Sequence, residues 1–106
     1  RVLWAIYLVE GGHLGSMHSN SNGSMDYGPY QINSIWLPRL THYGYTSQLL
    51  ASKACANSYA AAWVLSQAVA HTGSLWGGVG RYHSSTPTLA HGYTMKEWSV
   101  YRSLGP

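Results

Sequence analysis

Residues 21–36 read Ser-Asn-Gly-Ser-Met-Asp-Tyr-Gly-Pro-Tyr-Gln-Ile-Asn-Ser-Ile-Trp (SNGSMDYGPYQINSIW). Gly, Ser and Asn dominate the region from 13 to 30, which marks a long irregular loop or a small hairpin. A loop of that length within one domain is usually functional or poorly ordered. It also carries Asp26, one of three side-chain carboxylates in the 106-residue chain, the others being Glu10 and Glu97. Asp before Tyr-Gly is ordinary turn chemistry, with the carboxylate accepting backbone N–H bonds. Whether Asp26 also does chemistry depends on what surrounds the loop.

On its N-terminal side, Val2, Leu3, Ile6 and Val9 recur at helical spacing, and Gly11-Gly12 ends that element. On its C-terminal side, Ile32, Ile35, Trp36 and Leu40 predict a short helix over 31–43, broken at Pro38 and ended by Gly44. A brief helix follows over 47–53. The strongest helical signal is 57–72, NSYAAAWVLSQAVAHT, Ala-rich with Trp63, Val64, Ala68 and Val69 on a broad apolar stripe. Leu75–His83 predicts one or two further helical turns, Ser84–Pro87 a turn, and Thr94–Leu104 a terminal amphipathic helix. The fold class is therefore mostly α, with α+β as the variant: a helical domain bearing a loop or small β-hairpin lobe after its first helix. Residues 1–106 suffice for one domain. The opening RVLWAIYLVE reads as the middle of a helix without an N-cap, so a chain trimmed at its N-terminus is expected, with a signal segment and a cysteine partner among the losses.

Composition narrows the partners. Five Trp and nine Tyr stand against no Phe, while charged residues make up 8%. Such rings offer an apolar face with a polar handle, suited to sugar rings and equally to a core. Trp4, Trp63 and Trp98 are expected to fill the core, and Trp36 fits either role. The net charge of +3 comes from scattered basic residues, so nothing in it forms a stripe for nucleic acid. No apolar run reaches the roughly 18 residues of a membrane span. Cys55 is the only cysteine, so no disulfide forms within these residues; a lone Cys is usually a small buried hydrophobe.

Glu10 shares a helix face with Leu3, Ile6 and Tyr7. Apolar surroundings disfavour the charged form of a carboxyl, which is the environment a general acid needs near neutral pH; a solvated or paired helix-terminal Glu is the alternative. Glu97, among Lys96, Trp98 and Arg102, reads as a solvated ion pair with no catalytic role. The six His lack metal-ligand spacing and no GxSxG occurs, so neither a metal nor another cofactor is expected, and serine-hydrolase chemistry is disfavoured.

Four segments in order, Val9–Gly12, Ser21–Ser24, Asp26–Ser34 and Val79–Ser84, resemble the soluble lytic transglycosylases of the lysozyme-like superfamily. The small single-domain enzymes associated with bacterial conjugation and type IV secretion are the most similar branch. The resemblance spans nearly the whole chain. It implies a lysozyme-like fold, Glu10 as catalytic acid and base, and a glycan cleft lined by Gly28 and Gln31, with Tyr30, Asn33 and His83 as further binding or positioning residues. Tyr82 would hydrogen-bond the catalytic carboxyl. Gly11 departs from the usual Ser, and His83 stands where Asn is common. Cys55 resembles a family cysteine that often pairs with one nearer the N-terminus. Peptidoglycan would be the substrate, secretion or conjugation proteins the partners, and the periplasm or cell exterior the location of a monomeric enzyme.

The opening stretch also resembles c-type lysozymes, in which an Asp in Asp-Tyr-Gly-x-x-Gln-Ile-Asn-Ser follows the catalytic Glu by a similar interval; here Asp26 follows Glu10 by sixteen residues. Three readings result. A lytic transglycosylase would cleave the β-1,4 bond between N-acetylmuramic acid and N-acetylglucosamine using Glu10 alone, the muramic acid 6-hydroxyl closing onto C1 as a 1,6-anhydro sugar. A retaining muramidase would use Asp26 as second carboxylate. The third is an inactive glycan-binding module. The single cysteine and the Trp76–Ser84 segment favour the first.

Overall fold

A left-handed glycine ends the first helix: α1 runs Val2–Glu10, and Gly11 follows at φ +66°. Only a residue without Cβ takes that conformation readily, so the departure to Gly at position 11 has a backbone reason. The computed structural model describes residues 1–105, and its order is α1, strands β1 (Met17–Ser19), β2 (Met25–Tyr27) and β3 (Ile32–Asn33), then α2 (Leu37–His42), α3 (Ser47–Ser52), α4 (Ala54–Thr72), α5 (Leu75–His83) and α6 (Pro87–Ser103). This is the expected mostly α fold with a small β lobe after the first helix. No helix among the described residues is long and apolar enough to cross a membrane.

The chain divides into two compact units, residues 10–61 and residues 1–9 with 62–106. In the 10–61 unit the three short strands form an antiparallel sheet in the order β1-β2-β3, pairing Met17 with Tyr27 and Asp26 with Asn33. Its apolar interior is Tyr27, Ile32, Leu40, Leu50, Ala51, Ala60 and Ala61. One polar side chain joins them. Asn57 is 0% exposed; its Nδ2 donates to the carbonyls of Tyr27 and Leu50, both at 2.8 Å, and its Oδ1 accepts from the Tyr30 N–H at 2.8 Å. Every polar atom of the amide that could have been stranded is thus satisfied, and the loop after β2 is tied to α3 and α4.

In the other unit, α5 packs through glycines on two sides. A Cβ on Gly78 would lie 2.5 Å from Val69 Cγ2 of α4, and one on Gly80 would lie 2.5 Å from the Ala90 carbonyl of α6. Val79 between them is fully buried, as are Ala5, Ile6, Val64 and Ala68. Thr94 reinforces the α5–α6 approach with its hydroxyl 3.1 Å from the Trp76 carbonyl. The absence of side chains at 78 and 80 is what lets the backbones come this close.

Several sequence expectations change. Residues 31–43 do not form one helix: β3 comes first, then a 3₁₀ turn over Ser34–Trp36 capped by Asn33, and α2 starts only at Leu37. Pro38 falls in the first turn of α2, where its missing N–H is no loss, so it opens the helix instead of breaking it. Pro87 likewise opens α6 well before Thr94. The helix expected from Asn57 begins at Ala54, which puts Cys55 in its first turn as an exposed free thiol. Trp4 and Trp98 are 52% and 41% exposed and do not fill the core. Trp98 instead packs with Trp76 and Tyr101, at 5.2 and 5.9 Å between ring centroids, while the Arg1 guanidinium lies 4.6 Å from the Tyr101 centroid.

The largest reversal is Glu97, which is 0% exposed in place of the solvated ion pair expected. Its Oε1 lies 2.7 Å from His83 Nε2. The Lys96 and Arg102 neighbours in sequence point elsewhere on the helix surface and are exposed.

Replacing Asn57 by Ala leaves two carbonyls and one N–H without partners inside the 10–61 unit. We expect a loss of about 3 kcal/mol in unfolding free energy, read as a lowered urea midpoint with an unchanged slope.

Candidate active site

Burial of Glu97 leaves Glu10 and Asp26 as the accessible carboxylates, and both belong to the 10–61 unit. Glu10 is half-buried at the last position of α1. The chain then turns through Gly11 into Gly12, which is buried directly against the loop after β2. A Cβ on Gly12 would lie 2.7 Å from Gln31 Nε2 and 2.9 Å from the Pro29 carbonyl, and closer still to the Gly28 carbonyl. The chain leaving Glu10 is therefore packed at Gly12 against the Gly28–Gln31 segment and its Gln31 amide.

That segment is held in an unusual conformation. Gly28 has φ +70°, and a Cβ there would meet Asn57 and lie 2.5 Å from the Leu50 carbonyl. Gln31 has φ +52°, the only non-glycine with positive φ among the described residues. Strain of this kind costs on the order of 1 kcal/mol or more and persists where surrounding bonds enforce it. Here the Gln31 N–H and Nε2 both donate to the Gly28 carbonyl, at 3.0 and 2.8 Å, and Nε2 also approaches Ser16 Oγ at 3.3 Å. The Gly28 N–H donates to the Ser16 carbonyl at 3.0 Å. Gln31 thus braces its own loop, while Tyr30, half-buried beside it, is fixed through its N–H to Asn57.

Asp26 sits in the middle of the small sheet. Its Oδ1 accepts from Asn33 Nδ2 at 2.9 Å and its Oδ2 from Asn20 Nδ2 at 3.1 Å. Both amides also reach Ser24 Oγ, at 3.2 and 3.0 Å, and Ser24 donates on to Asn22 Oδ1 at 2.6 Å. Asn33 uses its remaining oxygen on the Ile35 N–H at 2.9 Å, capping the 3₁₀ turn. Asp26 is therefore a fixed, half-buried acceptor whose two oxygens connect the β1–β2 turn to β3. Asn33, a candidate for substrate contact, spends its amide on this network.

Tyr82 and His83 lie in the other unit, at the last turn of α5. The His83 side chain is 1% exposed; it meets Glu97 and stacks on Tyr93 at 4.6 Å and 13° between ring planes. It is thus turned inward, away from solvent. Tyr82 is half-buried and lies edge-on to the His83 ring at 5.5 Å.

Two residues that organise this arrangement were not expected from sequence. Asn57 carried a signal, since it interrupts the stripe it shares with Ala60, Ala61, Val64 and Ala68. Glu97 carried a fainter one, lying one turn from both Thr94 and Tyr101 on the face of α6 that is not fully exposed.

The class of protein defined to this point is a mostly helical chain with a small antiparallel lobe, in which Gly12, two residues after Glu10, is packed on the Gly28–Gln31 loop. Among known proteins, the chain is 37% identical over 71 residues to Protein IpgF of Shigella flexneri, across 67% of this chain and 47% of that protein. It is 32% identical over 94 residues to Invasion protein IagB of Salmonella typhimurium and of Salmonella typhi, across 85% of this chain and 59% of those proteins. The chain thus spans about half the length of these curated relatives. No protein-family model matches it.

The seat of Gly12 makes a sharp contrast with Gly92, an α6 residue with open space where a Cβ would stand. Gly12→Ala is expected to cost at least about 2 kcal/mol by forcing the loop away, whereas Gly92→Ala should gain about 0.5–1 kcal/mol from helix propensity. Thermal unfolding of the two variants checks both signs.

Proposed function

We propose that this chain is a peptidoglycan lytic transglycosylase, with residues 1–106 acting as one catalytic domain. The observation that carries the reading is the packing of Gly12, two residues after the half-buried Glu10, on the Gly28–Gln31 loop, a strained segment held by hydrogen bonds. The sequence resemblance points to the same residues, and the similarity to an invasion protein suits an enzyme that opens the cell wall for an assembly crossing it.

In this reading Glu10 first donates its proton to the glycosidic oxygen between N-acetylmuramic acid and N-acetylglucosamine. The bond from that oxygen to C1 breaks, and the leaving sugar departs with a free 4-hydroxyl. The Glu10 carboxylate then takes the proton of the muramic acid 6-hydroxyl as its oxygen bonds C1, giving the 1,6-anhydro product and restoring the acid. One carboxyl serves both steps because the attacking hydroxyl belongs to the same sugar and acts at high effective concentration. Gly28, buried and hydrogen-bonded through both its N–H and its carbonyl, shapes the loop beneath the glycan, Gln31 and Tyr30 line its path, and Tyr82 contributes a hydroxyl that orients the reacting groups. Asn33 and His83 act as supports. The enzyme would act as a monomer in the periplasm or outside the cell, with secretion-apparatus proteins as partners.

A retaining muramidase is the second reading, and one observation favours it. Asp26 is held as a double acceptor by Asn20 and Asn33, the kind of polar, hydrogen-bonded setting in which a stabilising carboxylate operates.

Purified peptidoglycan separates the readings. Glu10→Gln is expected to reduce clearing by at least about a hundredfold without lowering the melting temperature; equal clearing by variant and parent would instead indicate a binding module. Mass spectrometry of the products should give 1,6-anhydro ends, and Asp26→Asn should then reduce turnover by less than about tenfold. Reducing ends with a severe Asp26→Asn defect would identify the muramidase.

A further inference from the structure

We propose that Glu97 is a positioning residue for Tyr82, acting through His83. This inference rests on the reading that Tyr82 serves the glycan-cleaving reaction. Three contacts fix the His83 imidazole. Glu97 Oε1 holds Nε2 at 2.7 Å, Tyr93 stacks at 4.6 Å nearly parallel to the ring, and Tyr82 stands edge-on to it at 5.5 Å and 68°. The Tyr82 ring therefore leans on a ring whose rotation is fixed from α6. The glycine-mediated approach of α5 to α6 at Gly80 keeps the two helices close enough for this arrangement.

Stability alone does not account for the pair. Glu97 Oε2 is buried with no hydrogen-bond partner, so the carboxyl is only half satisfied, and apolar side chains of similar volume commonly fill such a helix interface with equal or better stability. What the pair supplies that Leu or Met would not is a directional bond. That bond selects one orientation of the imidazole and, through it, one position of the neighbouring tyrosine ring. Glu97 itself touches neither substrate nor the reacting carboxyl in this role, and no proton need leave the pair during turnover.

The test compares Glu97→Ala and Glu97→Gln, each alone and combined with Tyr82→Phe, in the complete chain at a temperature where circular dichroism reports every variant folded. Glu97→Ala is expected to lower kcat on the order of tenfold with KM changed by less than about twofold, and Glu97→Gln, which keeps an acceptor for Nε2, should recover most of the rate. In the Tyr82→Phe background the Glu97→Ala effect should shrink below about twofold, because both act through one hydroxyl. The Tyr82 ring resonances, assigned by labelling, should move in Glu97→Ala and return in Glu97→Gln. Unmoved resonances, or a rate loss of equal size with and without the Tyr82 hydroxyl, overturn the inference. If Glu97→Ala does not fold, Tyr93→Leu removes the stack on the imidazole and must move the same Tyr82 resonances; unchanged resonances there overturn it equally. An inactive wild-type protein whose Tyr82 signals still follow Glu97 sinks the transglycosylase reading while upholding the positional coupling.

Discussion

The Asn57 side-chain amide, buried in the apolar stripe of α4, is the interaction on which the geometry of the 10–61 unit depends. Its three bonds reach the end of β2, the end of α3 and the first part of the loop that follows β2. An amide in such a place is costly unless all its partners are present. Once they are, the loop has one position. That position lets Gly28 take a left-handed conformation against Asn57, presents the Gly28 carbonyl to Gln31, and leaves only enough room for Gly12 where the end of α1 arrives. The seat of Gly12, two residues after Glu10, is thus the last link of a chain that starts at Asn57 in α4.

Much of this was legible in the sequence, and the reasons differ by element. The ends of α1 and α4 could be read because glycine follows each of them in a left-handed turn, at Gly11 and Gly73. Gly28 and Gln31 stand out in the sequence through a resemblance to glycan-cleaving enzymes, and in the structure both have left-handed backbone. The 31–43 segment was misread because Ile32, Ile35 and Trp36 have helical spacing, yet Asn33 uses its side chain to cap a 3₁₀ turn and its backbone neighbours pair with β2. Both prolines start helices: Pro38, read as a breaker, lies in the first turn of α2, and Pro87, read as the end of a turn, opens α6.

Charge was the least legible property. A Glu beside Lys and Trp in an amphipathic helix is solvated by default, and only a partner fourteen residues earlier in the chain shows why Glu97 is not. The converse holds for Trp4 and Trp98: large and apolar, they signalled a core, but they lie on helix faces that remain largely open. For Trp98, contact with Trp76 and Tyr101 takes the place of burial. Local spacing identifies a helix face. Which face is covered depends on where glycines such as Gly78 and Gly80 allow another helix to approach.

The β lobe has a consequence of its own. It is held by Asn20, Asn22, Ser24, Asp26 and Asn33, with Tyr27 and Ile32 as its buried apolar side chains. Opening it would exchange amide and hydroxyl bonds for bonds to water while uncovering little hydrocarbon. Such a transition carries a small heat-capacity change, so its free energy curves little with temperature compared with unfolding of the helices. Amide hydrogens of the lobe are then expected to exchange through local opening, beneath the global transition.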